Sequence, residues 1–209
     1  SIDEAFLSIE LAFDYRQWGE ALVKKIGTWT GMPVSIGMAP TRTLAKAAVW
    51  FAKKWKGYNK VCIIENEEQR EKALKSLPIE EVWGIGWRGK SKCDYYGIKN
   101  AFDFTYKSES WVRKLFTITG VRTWRELKGQ SSIESVLTGD KQTICTSRSF
   151  DGMEQDKGKL EMYISNYAAH CAQKVRAQKS VCSMVTVFLQ TNHFREDLPQ
   201  HDAGLTVTL

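Results

Sequence analysis

Asp3 and Glu4 stand side by side between apolar neighbours, in the run Ser1-Ile2-Asp3-Glu4-Ala5-Phe6-Leu7. Adjacent carboxylates in a β-prone run offer hard oxygen donors to a divalent cation at a sheet edge. Mg²⁺ takes few protein carboxylates, because it keeps waters and substrate phosphates as its other ligands. Two such ions held together catalyse phosphoryl transfer to a hydroxyl, one activating the nucleophile and one steadying the leaving group. Two carboxylates do not complete that site, and neither Glu10, Asp14 nor Glu20 is an obvious third. A surface Asp-Glu dipeptide is the plainer alternative.

Three further groups could handle phosphate. Arg42, Lys46 and Lys53 share one helical face with Trp50 between them. Such a stripe is usually just solvated, but beside a metal strand it could neutralise a nucleoside triphosphate. In Leu77-Pro78…Val82-Trp83-Gly84-Ile85-Gly86-Trp87-Arg88-Gly89-Lys90, a short helix, a Gly-Ile-Gly hairpin and a second helix follow one another, with Tyr96-Gly97-Ile98 one helix later. The glycines permit positive φ and close backbone approach. The amides of the hairpin and of the next helix start then form an anion site, which grips a DNA phosphate without reading sequence. Gly84, Ile85 and Gly86, with Arg88 and Lys90 just after them, are the expected DNA contacts. The last group is Cys145-Thr146-Ser147-Arg148-Ser149-Phe150, where strand alternation puts Ser147 and Ser149 on one face and Arg148 on the other, a set that suits a phosphate backbone.

The elements that must position these groups change character along the chain. Ser1–Leu7 reads as a strand, residues 15–29 as an amphipathic helix ended by Gly31, Met32–Met38 as a strand, and Thr41–Lys56 as a helix with Leu44, Ala48, Phe51 and Trp55 buried. A short strand, Val61–Ile64, and a helix capped by Asn66 follow. From Pro78 to Gly129 only short helices with glycine punctuation occur: 79–82, 89–96, 101–106, 110–116 and 119–127. A polar stretch reads as a tether. Beyond it the pattern predicts a strand over 142–150, a helix over 159–177, and strands over 181–191 and from 205 onward. The class is α+β. With no initiator Met and with strands at both ends, the sequence reads as a piece of a longer protein.

Composition narrows the partners. The chain has 209 residues, 43% hydrophobic and 11% aromatic, which is a globular balance. Its net charge of +6 is weak evidence by itself, but the distribution says more. Between Glu20 and Glu65 there is no acid, while Lys24, Lys25, Arg42, Lys46, Lys53, Lys54, Lys56 and Lys60 stand unopposed. A region of one sign concentrates polyanions. Five widely spaced cysteines and three histidines make no zinc pattern, and the cysteines read as small buried groups in a reducing compartment. No apolar run spans a bilayer and no leader is visible, so no membrane partner and a cytoplasmic location are expected.

Taken together, the blocks resemble the Y-family of translesion DNA polymerases over essentially the whole chain. They occur in the same order: Ser1 to Leu7, Val34-Ser35-Ile36-Gly37-Met38-Ala39, Leu44-Ala45-Lys46, Ala52-Lys53-Lys54, Leu77-Pro78…Val82-Trp83-Gly84-Ile85-Gly86 and Ser147-Arg148-Ser149-Phe150. The Val82–Gly86 and Ile144–Phe150 blocks are most similar to the UmuC branch. The resemblance implies a partial palm over 1–77, an all-helical thumb with a helix-hairpin-helix over 78–130, a tether over 131–140 and an incomplete little finger over 141–209. It places Asp3 and Glu4 on the family's second cluster of metal carboxylates, serving two Mg²⁺ ions. It places Lys53 on the lysine that meets the incoming dNTP, Gly84, Ile85 and Gly86 on the thumb hairpin, and Arg148 on the strand that tracks DNA. It implies primer-template DNA as substrate in SOS-type repair, with a UmuD-type accessory subunit, a recombinase filament and a sliding clamp as partners. Ser8 stands where many relatives have Asp, and Cys93 where a Leu usually packs. The family's first metal Asp, steric-gate aromatic and fingers would precede Asp3, so this chain by itself is expected to bind DNA without extending a primer. Two rival readings stay open: another palm-type nucleotidyl enzyme such as a cyclase, and a non-catalytic DNA-binding scaffold.

Overall fold

The computed structural model describes residues 3–10, 14–133 and 139–209. Ser1 and Ile2 of the expected first strand, and residues 134–138 of the expected tether, lie outside it. The chain divides into two compact units, residues 1–135 and 136–209.

The first unit begins with an irregular segment over residues 3–10. The strand expected over Ser1–Leu7 is therefore corrected for residues 3–7: a strand exists by its ladder, and no described strand pairs with this segment. Helix α1, Tyr15–Thr30, starts at Asp14, whose carboxylate accepts from the backbone N–H groups of Arg16 and Gln17, and it ends at Gly31 in the left-handed region. Strand β1 is only Ile36–Met38, because Pro33 has no N–H to donate and β2, Val61–Ile63, offers just three partners. The two strands are parallel, so a crossover must join them, and α2, Arg42–Lys54, supplies it. Helix and strand lie close together at Gly37, where an added Cβ would come 2.2 Å from the Ala45 carbonyl oxygen and 2.4 Å from the Val49 nitrogen. Helix α3, Glu67–Ser76, is capped by Asn66 and carries Glu67 and Glu68 in its first turn, where they suit the helix dipole.

From Pro78 the unit is helical. A 3₁₀ turn, Ile79–Glu81, leads through Val82 to Ile85 into α4, Gly86–Tyr95; then come α5, Ala101–Thr105, and α6, Glu109–Leu127. Helix α6 is broken at Thr117, with φ 62° and ψ −166°, which yields the two helical pieces expected around that point. One core serves the whole unit: Leu44, Ala48 and Phe51 of α2 cluster with Leu74, Ile79, Ile85, Phe104, Val112 and Leu127. Trp55, expected on the buried face of α2, is 41% exposed, because it is the C-cap and its chain leaves the helix there.

Glu126 ties these elements together. It is fully buried, and its Oε2 accepts from the Thr43 N–H at 2.8 Å. Its Oε1 accepts from Ser132 N–H at 3.0 Å and Ile133 N–H at 3.1 Å. Its backbone carbonyl accepts from the Thr41 hydroxyl at 2.8 Å, and the next carbonyl, Leu127, accepts from Arg70 at 2.9 Å.

The second unit contains α7, Lys157–Ala177, and an antiparallel pair, β3 (Met184–Gln190) with β4 (Asp202–Thr208). Among its described residues none is buried. The strand expected over 142–150 is corrected: the segment forms no ladder and runs along α7 instead. Lys141 exchanges two hydrogen bonds with Gln178, at 2.9 and 3.0 Å. Lys174 donates to the Cys145 carbonyl and the Thr146 hydroxyl, and the Phe150 ring lies 5.1 Å from Tyr163. Between this segment, α7 and β3 an open trough of about 1910 Å³ is lined by Ile144, Phe150, Tyr163, Tyr167 and Val187 among others. Cys62 and Cys93 are buried as expected, but Cys145 and Cys182 are exposed, in a unit that buries none of its described side chains fully. No helix among the described residues is long and apolar enough to cross a membrane.

Glu126→Ala leaves the buried Thr43 N–H and the partly buried Ser132 and Ile133 N–H groups without their acceptor and should cost about 2–3 kcal/mol in urea unfolding, whereas Glu126→Gln, which keeps one acceptor oxygen, should cost less. Burial pushes the Cys93 thiol up to about 11, and the Asp94 carboxylate adds to the rise. The unfolded chain then releases this proton first, so stability should fall as pH rises from about 8.5 to about 11. Cys93→Ala should flatten that slope, read as denaturation midpoints on either side of the window.

Candidate functional site

The residues singled out by the sequence fall into three places. In the first, Glu4 forms an ion pair with Lys46 of α2; the two side chains are 33% and 27% exposed. Two residues on, the Arg42 guanidinium lies 5.4 Å from the Phe6 ring centroid, and Phe6 lies 5.5 Å from Trp83. The structure thus brings the carboxylate segment, the N-terminal half of α2 and the start of the hairpin into one cluster. The α2 backbone positions the cations because its opposite face, with Leu44, Ala47, Ala48 and Phe51, is buried. Lys53 sits further along α2, exposed and with no ion-pair partner among the described residues. Its neighbour Lys54 is held 4.4 Å over Trp50, so of the two lysines only Lys53 keeps its charge clear of the aromatic cluster.

As a cation site this set fits in kind and not in number. Asp3 and Glu4 carry the hard oxygens that Mg²⁺ prefers, but no group of three or more His, Cys, Asp or Glu gathers among the described residues. Asp14 is spent on capping α1, and Glu20 lies 4.0 Å from Arg16. The pair can therefore form part of a shell that waters and phosphates would complete.

The second place is the hairpin. Gly84 has φ +92° and Gly86 φ +54°, conformations that side chains rarely adopt. A Cβ on Gly84 would also come 2.8 Å from the Thr123 hydroxyl, which itself donates to the Trp83 carbonyl. Ile85 is buried, so it anchors the turn while its flanking glycines stay exposed. Ile85 gives no side-chain cap to α4, which leaves that helix's first-turn amides to other acceptors. Arg88 is exposed, 5.2 Å from the ring of an exposed Trp87. Lys90 is turned back along the helix onto Asp94 at 3.0 Å, and that hydrogen bond raises its pKa.

The third place is in the second unit. Ser147 and Arg148 are exposed, and the Arg148 guanidinium donates to the Ser147 carbonyl at 2.9 Å. Ile144, Thr146 and Phe150 are half-buried, but Ser147, Arg148 and Ser149 are all exposed, so the expected alternation breaks at Arg148.

Sequence reasoning put Lys46 on the basic stripe without its partner. It gave no role to Phe6 or Trp83. These contacts span 42 and 77 positions of chain, and no local pattern encodes them.

Known proteins place the chain further. Residues 141–209 match the impB/mucB/samB family C-terminal domain. ImpB of Salmonella typhimurium is 35% identical over 202 residues, covering 93% of this chain and 47% of that protein. UmuC of Salmonella typhimurium is 33% identical over 214 residues, covering 100% of this chain and 51% of that protein. A protein named DNA polymerase IV, from Brucella melitensis biotype 1, is 22% identical over 200 residues, covering 93% and 44%. The chain spans about half the length of these curated relatives. The similarity to ImpB and UmuC runs through both units, and residues 141–209 carry the match to the impB/mucB/samB C-terminal domain.

Proposed function

We propose that the whole protein to which this chain belongs is a DNA-directed DNA polymerase that copies past damaged template bases during SOS-type repair. The observation that carries this reading is similarity along 93% or more of the chain to ImpB and UmuC, together with likeness over the same span to proteins named DNA polymerase IV. On this reading residues 1–77 are the C-terminal part of the palm, 78–130 the thumb, 131–140 a tether and 141–209 part of the little finger.

The residues divide the work by chemistry. Asp3 and Glu4 would hold Mg²⁺, which when bound activates the primer 3′-hydroxyl for attack on the α-phosphate of a dNTP and steadies the departing pyrophosphate. Lys53 offsets charge on the β- and γ-phosphates. The hairpin around Gly84, Ile85 and Gly86 offers backbone N–H groups to a DNA phosphate, and the positive dipole end of α4 strengthens that grip. Arg88 and Lys90 in the first unit, and separately Ser147 and Arg148 in the second, offer donors to backbone phosphates. None of these contacts reads a base edge, so recognition is independent of sequence. A UmuD-type subunit, a recombinase filament and a sliding clamp are the proposed partners.

Primer extension by the whole protein with Mg²⁺ and four dNTPs should be abolished by Asp3→Ala and by Glu4→Ala while DNA binding persists. Binding without extension by the wild type, accessory subunits supplied, would favour a scaffold instead. The 209-residue chain should itself bind DNA of any sequence. Arg88→Ala and Arg148→Ala should each weaken that binding evenly across sequences and lower the salt slope by about 1, measured by fluorescence anisotropy.

A further inference from the structure

Glu4 and Phe6 are two residues apart in an irregular segment, whereas Arg42 and Lys46 are four apart, about one turn, on one face of α2. The two pairs meet, with the Lys46 ammonium on the Glu4 carboxylate and the Arg42 guanidinium over the Phe6 ring. Trp83 meets the same Phe6 ring. An ammonium and a divalent cation seek the same carboxylate lone pairs, and a fixed positive charge beside a cation site opposes its filling. Partial shielding of both side chains limits screening of that opposition.

Resting on the reading of Asp3 and Glu4 as cation ligands, we propose that Lys46 is the placeholder for the divalent cation. In the metal-free protein its ammonium occupies the Glu4 carboxylate and holds the carboxylate segment against α2. Cation binding displaces it. A lysine suits this exchange because its ammonium is a point charge on a flexible four-carbon stem, free to swing away, whereas an arginine fork grips a carboxylate through two bonds. Lys46 is thus a positioning residue, and the Arg42–Phe6–Trp83 contact keeps the segment in place while the exchange occurs.

The test uses the 209-residue chain and two readouts, amide hydrogen exchange over residues 4–8 without metal, and paramagnetic broadening of the Glu4 to Phe6 amide signals as Mn²⁺ is added. Lys46→Gln should speed exchange and at the same time tighten Mn²⁺ binding by about three- to tenfold. Lys46→Arg should leave exchange slow and Mn²⁺ binding no tighter than in the wild type. A lysine with a merely structural role would shift both readouts in one direction, giving a looser segment and weaker binding. That outcome, or Mn²⁺ binding unchanged in Lys46→Gln, overturns the proposal. If Mn²⁺ broadens no signal near Glu4 in the wild type, or broadens it equally in Asp3→Asn/Glu4→Gln, the ligand reading itself has failed. In that case the exchange comparison still decides separately whether Lys46 anchors the segment.

Discussion

The first unit depends on one buried carboxylate. Glu126 is fully buried, so its carboxyl oxygens must be met by protein donors, and the three backbone N–H groups they accept from come from two separate stretches of chain. Thr43 offers an N–H from the opening turn of α2, where the helix dipole is positive. In return the closing carbonyls of α6 receive hydrogen bonds from Thr41 and Arg70. One helix's end thus satisfies another's start, and the relative placement of α2, α3 and α6 becomes a matter of hydrogen-bond geometry as well as of packing. The chain leaving α6 is caught by the same carboxylate at Ser132 and Ile133, so its direction is fixed over the first residues of the expected tether.

With α2 fixed in this way, its two faces serve different ends. The apolar face meets the shared core, and the close approach at Gly37 sets its depth over β1. The other face carries Arg42, Lys46 and Lys53 to where phosphate and carboxylate chemistry would take place. Thr123, one turn before Glu126 on α6, reaches the Trp83 carbonyl beside the hairpin. The hairpin and the carboxylate segment are therefore referred to the same pair of helices. That shared reference is how residues from positions 4, 46 and 83 come to lie in one cluster.

The helices of the first unit were legible because their signals are local. Asn66 and the Gly31 stop mark ends, and the apolar spacing of Leu44, Ala48 and Phe51 marks a face. The hairpin was legible too, since only glycine readily adopts the φ that Gly84 and Gly86 show. The segments 3–7 and 142–150 were misread for one reason: β-prone side chains and alternation describe a residue's own preference, while a strand requires a neighbour. Residues 142–150 lie along α7, which half-buries Ile144, Thr146 and Phe150 but leaves Arg148 exposed, so the expected alternation holds only in part. Glu126 escaped notice since a lone acid in an amphipathic helix looks solvent-facing until a distant helix start is brought to it.

The contrast in burial between the units has a thermodynamic consequence. Nearly twenty apolar side chains share one interior in the first unit, whereas the second shields none of its described residues fully. Burial of apolar surface is the main favourable contribution to folding, so the two units hold their structure with unequal free energies. A single melting temperature is then not a property of this chain. Heat or denaturant would act on two transitions, the second unit loosening first while the core around Leu44, Ile79 and Leu127 still stands.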